Sequence, residues 1–133
     1  MKLNIITQDS QRIDNYNNVS VINGEVNFLD VSDGECEEVL ISDCSSLSVN
    51  SISTCMKKVS INGKIKLQGV DLRLLCRQTI NQMIAEEDAS RIIETSKTII
   101  PMTNLARMVS DSGFEIDSAN INGVRYQVWA TRK

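Results

Sequence analysis

No histidine occurs anywhere in the 133 residues. Its absence removes every Ser-His-Asp or Cys-His constellation and the commonest general base. Catalysis would have to rest on carboxylates, lysine, tyrosine, cysteine or a bound cofactor. The four cysteines (Cys36, Cys44, Cys55, Cys76) contain no C-x-x-C pair. Their spacing gives no sign of four thiolates converging on zinc, so no metal site is expected. They read as reduced intracellular thiols, mostly small core residues. Aromatic residues are scarce, at 4%. Tyr126 and Trp129 are therefore expected to supply core bulk, with an interface role as the alternative.

A basic excess is also missing. The net charge is −3, the pI is about 4.9, and the only basic doublets are Lys57-Lys58 and Arg132-Lys133. A protein that grips phosphates needs a basic face, so no nucleic-acid partner is expected. No apolar run approaches the roughly 18 residues of a membrane span. The stretch MKLNIITQDS is too short in apolar residues to act as a secretory signal. A cytoplasmic protein with no membrane contact is expected. The acidic cluster Glu35, Glu37, Glu38 has no EF-hand pattern around it and reads as a solvated face. The length suits one domain, residues 1–133, with one core.

What is present alternates between strand and helix patterns. Lys2 to Ile6 is a short, branched apolar run and predicts a strand. It breaks at Ile6-Thr7-Gln8-Asp9 into a polar loop running to Asn18. Asn18 to Ile22 predicts a second strand and Asn23-Gly24 a turn. Val26 to Val31 predicts a third strand, and Glu38 to Ser42 a fourth, covered on both faces. Ser48 to Val59 places Val49, Ile52, Cys55, Met56 and Val59 at helical spacing, capped by Ser48 or Asn50. Asn62-Gly63 precedes a fifth strand through Val70. Asp71 is the expected cap of the strongest helix, whose stripe is Leu72, Leu75, Cys76, Ile80, Met83 and Ile84. Glu86 to Thr95 continues as a short helix. Thr103 is the expected cap of a helix reaching Ser112, with Gly113 as its stop. Met83, Met102 and Met108 are expected to fill core. Phe114 to Ile121 and Val124 to Thr131 flank Asn122-Gly123 as a hairpin. The order implies an α/β fold with a mainly parallel sheet, closed by a C-terminal antiparallel hairpin.

Several stretches resemble class I S-adenosylmethionine-dependent methyltransferases. Lys2-Leu3-Asn4-Ile5 is similar to their first strand, K-L-N-L. Tyr16 and Asn18-Val19-Ser20 are similar to their G-Y-x-N-V-D. MKKVSINGKIKLQGVD (Met56 to Asp71) resembles the stretch leading into their fifth strand. LARMVSDSGFEIDSANINGVRYQVWATR resembles their last helix and closing hairpin. The resemblance implies a Rossmann-like methyltransferase sheet. It also implies where a cofactor would sit, and there this chain departs. The family's G-C-G falls on Ile6-Thr7-Gln8, where side chains fill the space glycines leave for the cofactor. The ribose-binding acid falls on Ser20. The H-x-x-E-H falls on Asp43 to Leu47, with neither His nor Glu. Asp30 matches an acidic position that can contact adenine.

The resemblance therefore implies a degenerate, non-catalytic methyltransferase-like domain acting as a binding or assembly module. No cofactor is expected. A protein partner or a homodimer is expected, because one sheet face is thinly covered. The alternative is an active methyltransferase that holds S-adenosylmethionine with Gln8, Ser20, Asp30 and Asp43. A second alternative is a structural or accessory protein of viral (phage) origin in the host cytoplasm, since the Asn- and Ile-rich composition suggests an AT-rich genome.

Overall fold

The computed structural model describes residues 1–8, 11–28 and 30–133. Asp9 and Ser10 of the first loop, and Leu29 of the expected third strand, lie outside the described residues. The chain forms β1 (Lys2–Ile6), β2 (Asn17–Ile22), β3 (Glu25–Val26), β4 (Cys36–Ile41) and α1 (Val49–Lys58). There follow β5 (Val59–Val70), α2 (Leu72–Ile80), α3 (Glu86–Thr95), α4 (Met102–Asp111), β6 (Phe114–Asn122) and β7 (Arg125–Arg132). They build one sheet in the order β3-β2-β1-β4-β5-β7-β6. The pairs β1–β2, β1–β4 and β4–β5 are parallel. The flanking pairs β2–β3, β5–β7 and β6–β7 are antiparallel. This is a Rossmann-like α/β sheet closed by the C-terminal hairpin.

Alternation along each strand decides which face is covered. Leu3, Ile5, Val39, Ile41, Ile65, Leu67, Val128 and Ala130 point to one face and are fully buried. Against them pack Ile52, Cys55 and Met56 of α1 and Leu105 and Val109 of α4. The register carries the opposite side chains into rows on the second face. One row is Leu40, Lys66, Trp129 and another is Gln68, Gln127. Apart from Leu40, their members pair with each other. Gln68 Nε2 donates to Gln127 Oε1 at 3.2 Å, and Lys66 Nζ lies 5.6 Å from the Trp129 ring centre. Trp129 is thus half-buried on the open face, while Tyr126 is in the core. Near β1 the Asn4 side chain on this face is covered by Gln11 and Asn18.

Several local expectations are corrected. The third strand has two residues and returns antiparallel through Asn23 (φ 53°) and Gly24 (φ 80°). Two left-handed residues in a two-residue turn match the strand twist, so the chain reverses at once and no crossover helix can fit. Asn62-Gly63 does not precede the fifth strand but lies inside it. Asn62 has φ 66° inside β5, and the register against β4 shifts there, which makes the pair a bulge. Gly63 is needed for the bulge, because a Cβ would sit 2.9 Å from Ser60 O. In the last hairpin Asn122 pairs Arg125, so the turn residues are Gly123 (φ 65°) and Val124. α2 ends at Ile80, and only Leu75 of its expected stripe is buried. Met83 is 74% exposed and fills no core, whereas Met102 and Met108 pack against it. Thr103 does not cap α4. Asp71 does, from a distance in sequence, as described below.

Cys36, Cys44 and Cys55 are buried and Cys76 is exposed. Among the described residues, no group of three or more His, Cys, Asp or Glu could hold a metal. No helix among them is long and apolar enough to cross a membrane.

Candidate functional site

Ligands of open parallel sheets enter at the carboxyl ends of the strands. β1, β2 and β4 run parallel, with Ile6 beside Ser20 and Ile5 beside Ile41. Residues 6–8, 20–22 and 42–43 therefore meet on one edge. A cofactor at that edge would be held by backbone amides at the end of β1. Those amides are already engaged. Gln11 Oε1 accepts from Thr7 N at 3.0 Å and Gln8 N at 3.2 Å. The Thr7 hydroxyl at 3.0 Å and the Ser42 hydroxyl at 3.1 Å lie against the same oxygen.

The rest of the loop is tied to the strands beneath it. Asn4 points to the second face and is 2% exposed. Its amide donates to Gln11 O at 2.9 Å and to Asn18 Oδ1 at 2.8 Å. Asn18 in turn accepts from Ile13 N and donates to the Ile13 and Tyr16 carbonyls. Buried amides paired this fully rigidify a segment, and leaving one unpaired is costly. Tyr16 donates to Glu38 Oε1 at 2.7 Å. That bond, with burial and the Glu38 charge, pushes the Tyr16 phenol up to about 12.

Gln8 is exposed at the end of β1 with its backbone amide taken by Gln11. Ser20 is exposed on β2 beside Ile6, which is 1% exposed. Asp43 caps the one-turn 3-10 helix Cys44–Ser46 by accepting from Ser45 N at 3.1 Å and from the Ser46 hydroxyl at 3.0 Å. Arg125 Nη2 lies 3.8 Å from it and donates to Ser42 O at 3.1 Å. So Gln8, Ser20 and Asp43 share one edge. Asp30 does not join them. After the antiparallel β3 the chain heads for the opposite edge, where Gly34 N bonds Lys57 O and Glu37 N bonds Met1 O. Asp30 is exposed on that return.

A second carboxylate at the carboxyl edge, besides Asp43, is Asp71. It is 4% exposed and accepts from Leu74 N at 2.9 Å and Met102 N at 2.8 Å. One side chain thus caps both α2 and α4. Nearby, burial pushes the Cys44 thiol up to about 12 and the Tyr126 phenol upward as well. The Tyr126 ring sits where Gly69 has no side chain, since a Cβ there would lie 2.9 Å from Tyr126 Cζ. Perturbed groups move away from neutrality. Tyr16, Tyr126 and the three buried cysteines rise, and Glu25 and Asp33 fall. An acid–base site working near pH 7 would need the opposite tuning.

No protein-family model and no curated protein matches the sequence. Solved structures do match. One is a possible histamine N-methyltransferase from Thermotoga maritima, 12% identical, covering 100% of this chain and 73% of that one, with a TM-score of 0.58. Another is a chain of the Haloferax volcanii complex between the Trm112 methyltransferase activator and a putative methyltransferase. It is 6% identical over 96% of this chain and 70% of that one, with a TM-score of 0.60. A third is a geranyl diphosphate methyltransferase in complex with SAM, 6% identical over 99% and 69%, with a TM-score of 0.57. The fold is that of the class I S-adenosylmethionine-dependent methyltransferases, in a 133-residue version.

The donor set of this chain does not fit the cofactor that fold implies. The two amides at the β1 end are spent on Gln11, Ile6 buries a branched side chain beside them, and Asp30 lies away from the edge. The residues that sequence reasoning missed are Gln11 and Ser42. The available signal was Asn4, a polar side chain inside an apolar strand, which must find a buried partner.

Proposed function

We propose that this chain is a non-catalytic methyltransferase-fold module that does not bind S-adenosylmethionine and acts through protein contacts. The observation that carries this is the Gln11 carboxamide, which accepts from the Thr7 and Gln8 amides. A cofactor carboxylate would need those donors, and their present acceptor is part of the chain itself. Displacing it, and accommodating a branched residue at Ile6, would each cost on the order of 1–3 kcal/mol, or two to four decades of affinity in combination. The resolved shifts among the described residues, all directed away from neutrality, support the same reading. The contact role is supported by a neighbour of this fold seen with an activator protein. It is supported too by a sheet whose second face carries no helix layer among the described residues.

Titration calorimetry with S-adenosylmethionine and S-adenosylhomocysteine tests this directly. No heat of binding is expected from the native chain. Micromolar binding of either would sink the proposal and favour an active enzyme with a divergent site. The combined variant Ile6→Gly, Gln8→Gly, Gln11→Ala separates the two further. If the seal is what excludes the cofactor, weak binding should emerge only in that variant.

A further inference from the structure

The two most exposed apolar side chains, Ile80 and Met83, lie at the end of α2 and just after it, with Ile93 of α3 close by, while Ile22 and Ile61 are exposed singly elsewhere. Ile80 is 79% exposed, Met83 74% and Ile93 56%. Between the helices runs a mainly apolar groove of about 410 Å³ lined by Cys76, Thr79, Ile80, Ala89 and Ile93, with Glu86 of the acidic helix also on its wall. Beneath it lies a separate small core of Val70, Leu75 and Ala89. Apolar side chains clustered around a groove, unlike those exposed singly, mark a contact site.

The charge around the groove says what fits it. α2 carries Arg73 and Arg77, both exposed, and no acidic residue within Leu72–Ile80. Those arginines line the side of α2 turned away from α3, toward Met102 and Thr103 of α4. α3 carries Glu86, Glu87, Asp88 and Glu94, all exposed. Its one basic residue, Arg91, pairs with Asp88 at 3.5 Å within the same helix. The patch therefore reads basic flank, apolar groove, acidic flank. A two-fold axis along such a groove lays the basic flank of one copy on the acidic flank of the other. This is the self-complementarity that an isologous interface requires.

We infer that the chain forms a homodimer through the α2–α3 groove, with α2 of each copy seated against α3 of the other. Ile80 and Ile93 of both copies form the buried centre. The arginines of α2 meet the glutamates of α3 at the rim. None of these residues lies at the carboxyl ends of β1, β2 and β4, so the dimer and the sealed cofactor edge stand or fall separately.

Light scattering on the purified full chain should give twice the 14.8 kDa monomer mass. Ile80→Glu with Ile93→Glu should weaken the dimer by at least about 100-fold, as expected for central anchors. Both positions are exposed, so the monomer should keep its circular dichroism and melting temperature. Arg77→Glu and Glu94→Arg should each weaken the dimer by about tenfold, and the two together should recover most of the loss. That recovery is specific to α2 against the partner's α3. Alkylation of Cys76, the exposed cysteine in the groove, with a bulky maleimide should also give monomer. A native chain that stays monomeric at its highest soluble concentration overturns the inference and leaves the groove to another protein or an apolar small molecule. A dimer indifferent to the Ile80 and Ile93 changes overturns it as well.

Discussion

β4, β5, β6 and β7 are joined through helices that pack on the sheet or by a tight hairpin, while β1 and β2 are joined by a polar loop. At the β4–β5 end, α1 and α4 bury Ile52, Cys55, Met56, Leu105 and Val109. At the β1–β2 end, the cover is a set of side-chain amides: Asn4, Gln11 and Asn18. A helix placed after a strand does two things in this architecture. It buries apolar area, and its free N-terminal amides face whatever binds at the edge. A loop that closes on its own amides keeps the strand end satisfied but offers no donors outward. Two connections in one sheet thus satisfy their strand ends differently, one with packed helices and one with side-chain amides.

The sharpest way to break this comparison is at Asp71, where the helical end depends on one carboxylate. Asp71→Ala removes two charge-assisted caps and should cost about 3 kcal/mol, read as a fall in the urea midpoint. An effect below about 1 kcal/mol would mean that α2 and α4 are held by packing alone. At the loop end the effect should be smaller. Gln11→Ala should cost about 1–2 kcal/mol, and the Thr7 and Gln8 amides should lose most of their hydrogen-exchange protection. If those amides exchange equally fast in the native chain, the loop is no seal. The mildest test is a titration of the two tyrosines by their absorbance. Tyr16 is held near 12 by its bond to Glu38, and Tyr126 is raised by burial. At pH 10, the ordinary phenol value, the folded chain should show almost no tyrosinate. Both folded values lie above the unfolded one. Their contribution to stability is therefore complete below pH 10; that of Tyr16 is lost as pH rises through about 12, and that of Tyr126, raised further, is lost only at higher pH. Tyr16→Phe should remove the lower of the two transitions.

The two ends also differed in how far the sequence exposed them. Periodicity placed β1, α1 and α3 and the closing hairpin, because each announces itself within about ten residues. Asn23-Gly24 marked a true reversal. Asn62-Gly63 carried the same two letters inside a continuous strand, and only the pairing of β5 with its neighbours tells the cases apart. The stripe on α2 was visible, but a stripe does not say which of its residues meet the sheet. Leu75 does, while Ile80 and Met83 face water. Thr103 looked like the cap of α4 because caps are sought nearby. The carboxylate that serves is 31 residues earlier. Gln8, Ser20 and Asp43 fell on one edge because parallel strands deliver their ends together. Asp30 did not, because the tight turn at Asn23-Gly24 reverses the chain before it.

Gln11 can also be viewed as a tethered ligand. Its carboxamide is three residues from the nearer amide it serves, so its effective concentration there is on the order of millimolar or above. Any soluble molecule seeking the same two donors competes against that level at all times and cannot dilute it. Dialysis, turnover or starvation of a cofactor pool would leave this occupant in place. On the proposed non-binding reading, the edge of β1 is kept occupied from within the chain, and the chain's behaviour should be indifferent to the supply of methyl donor around it.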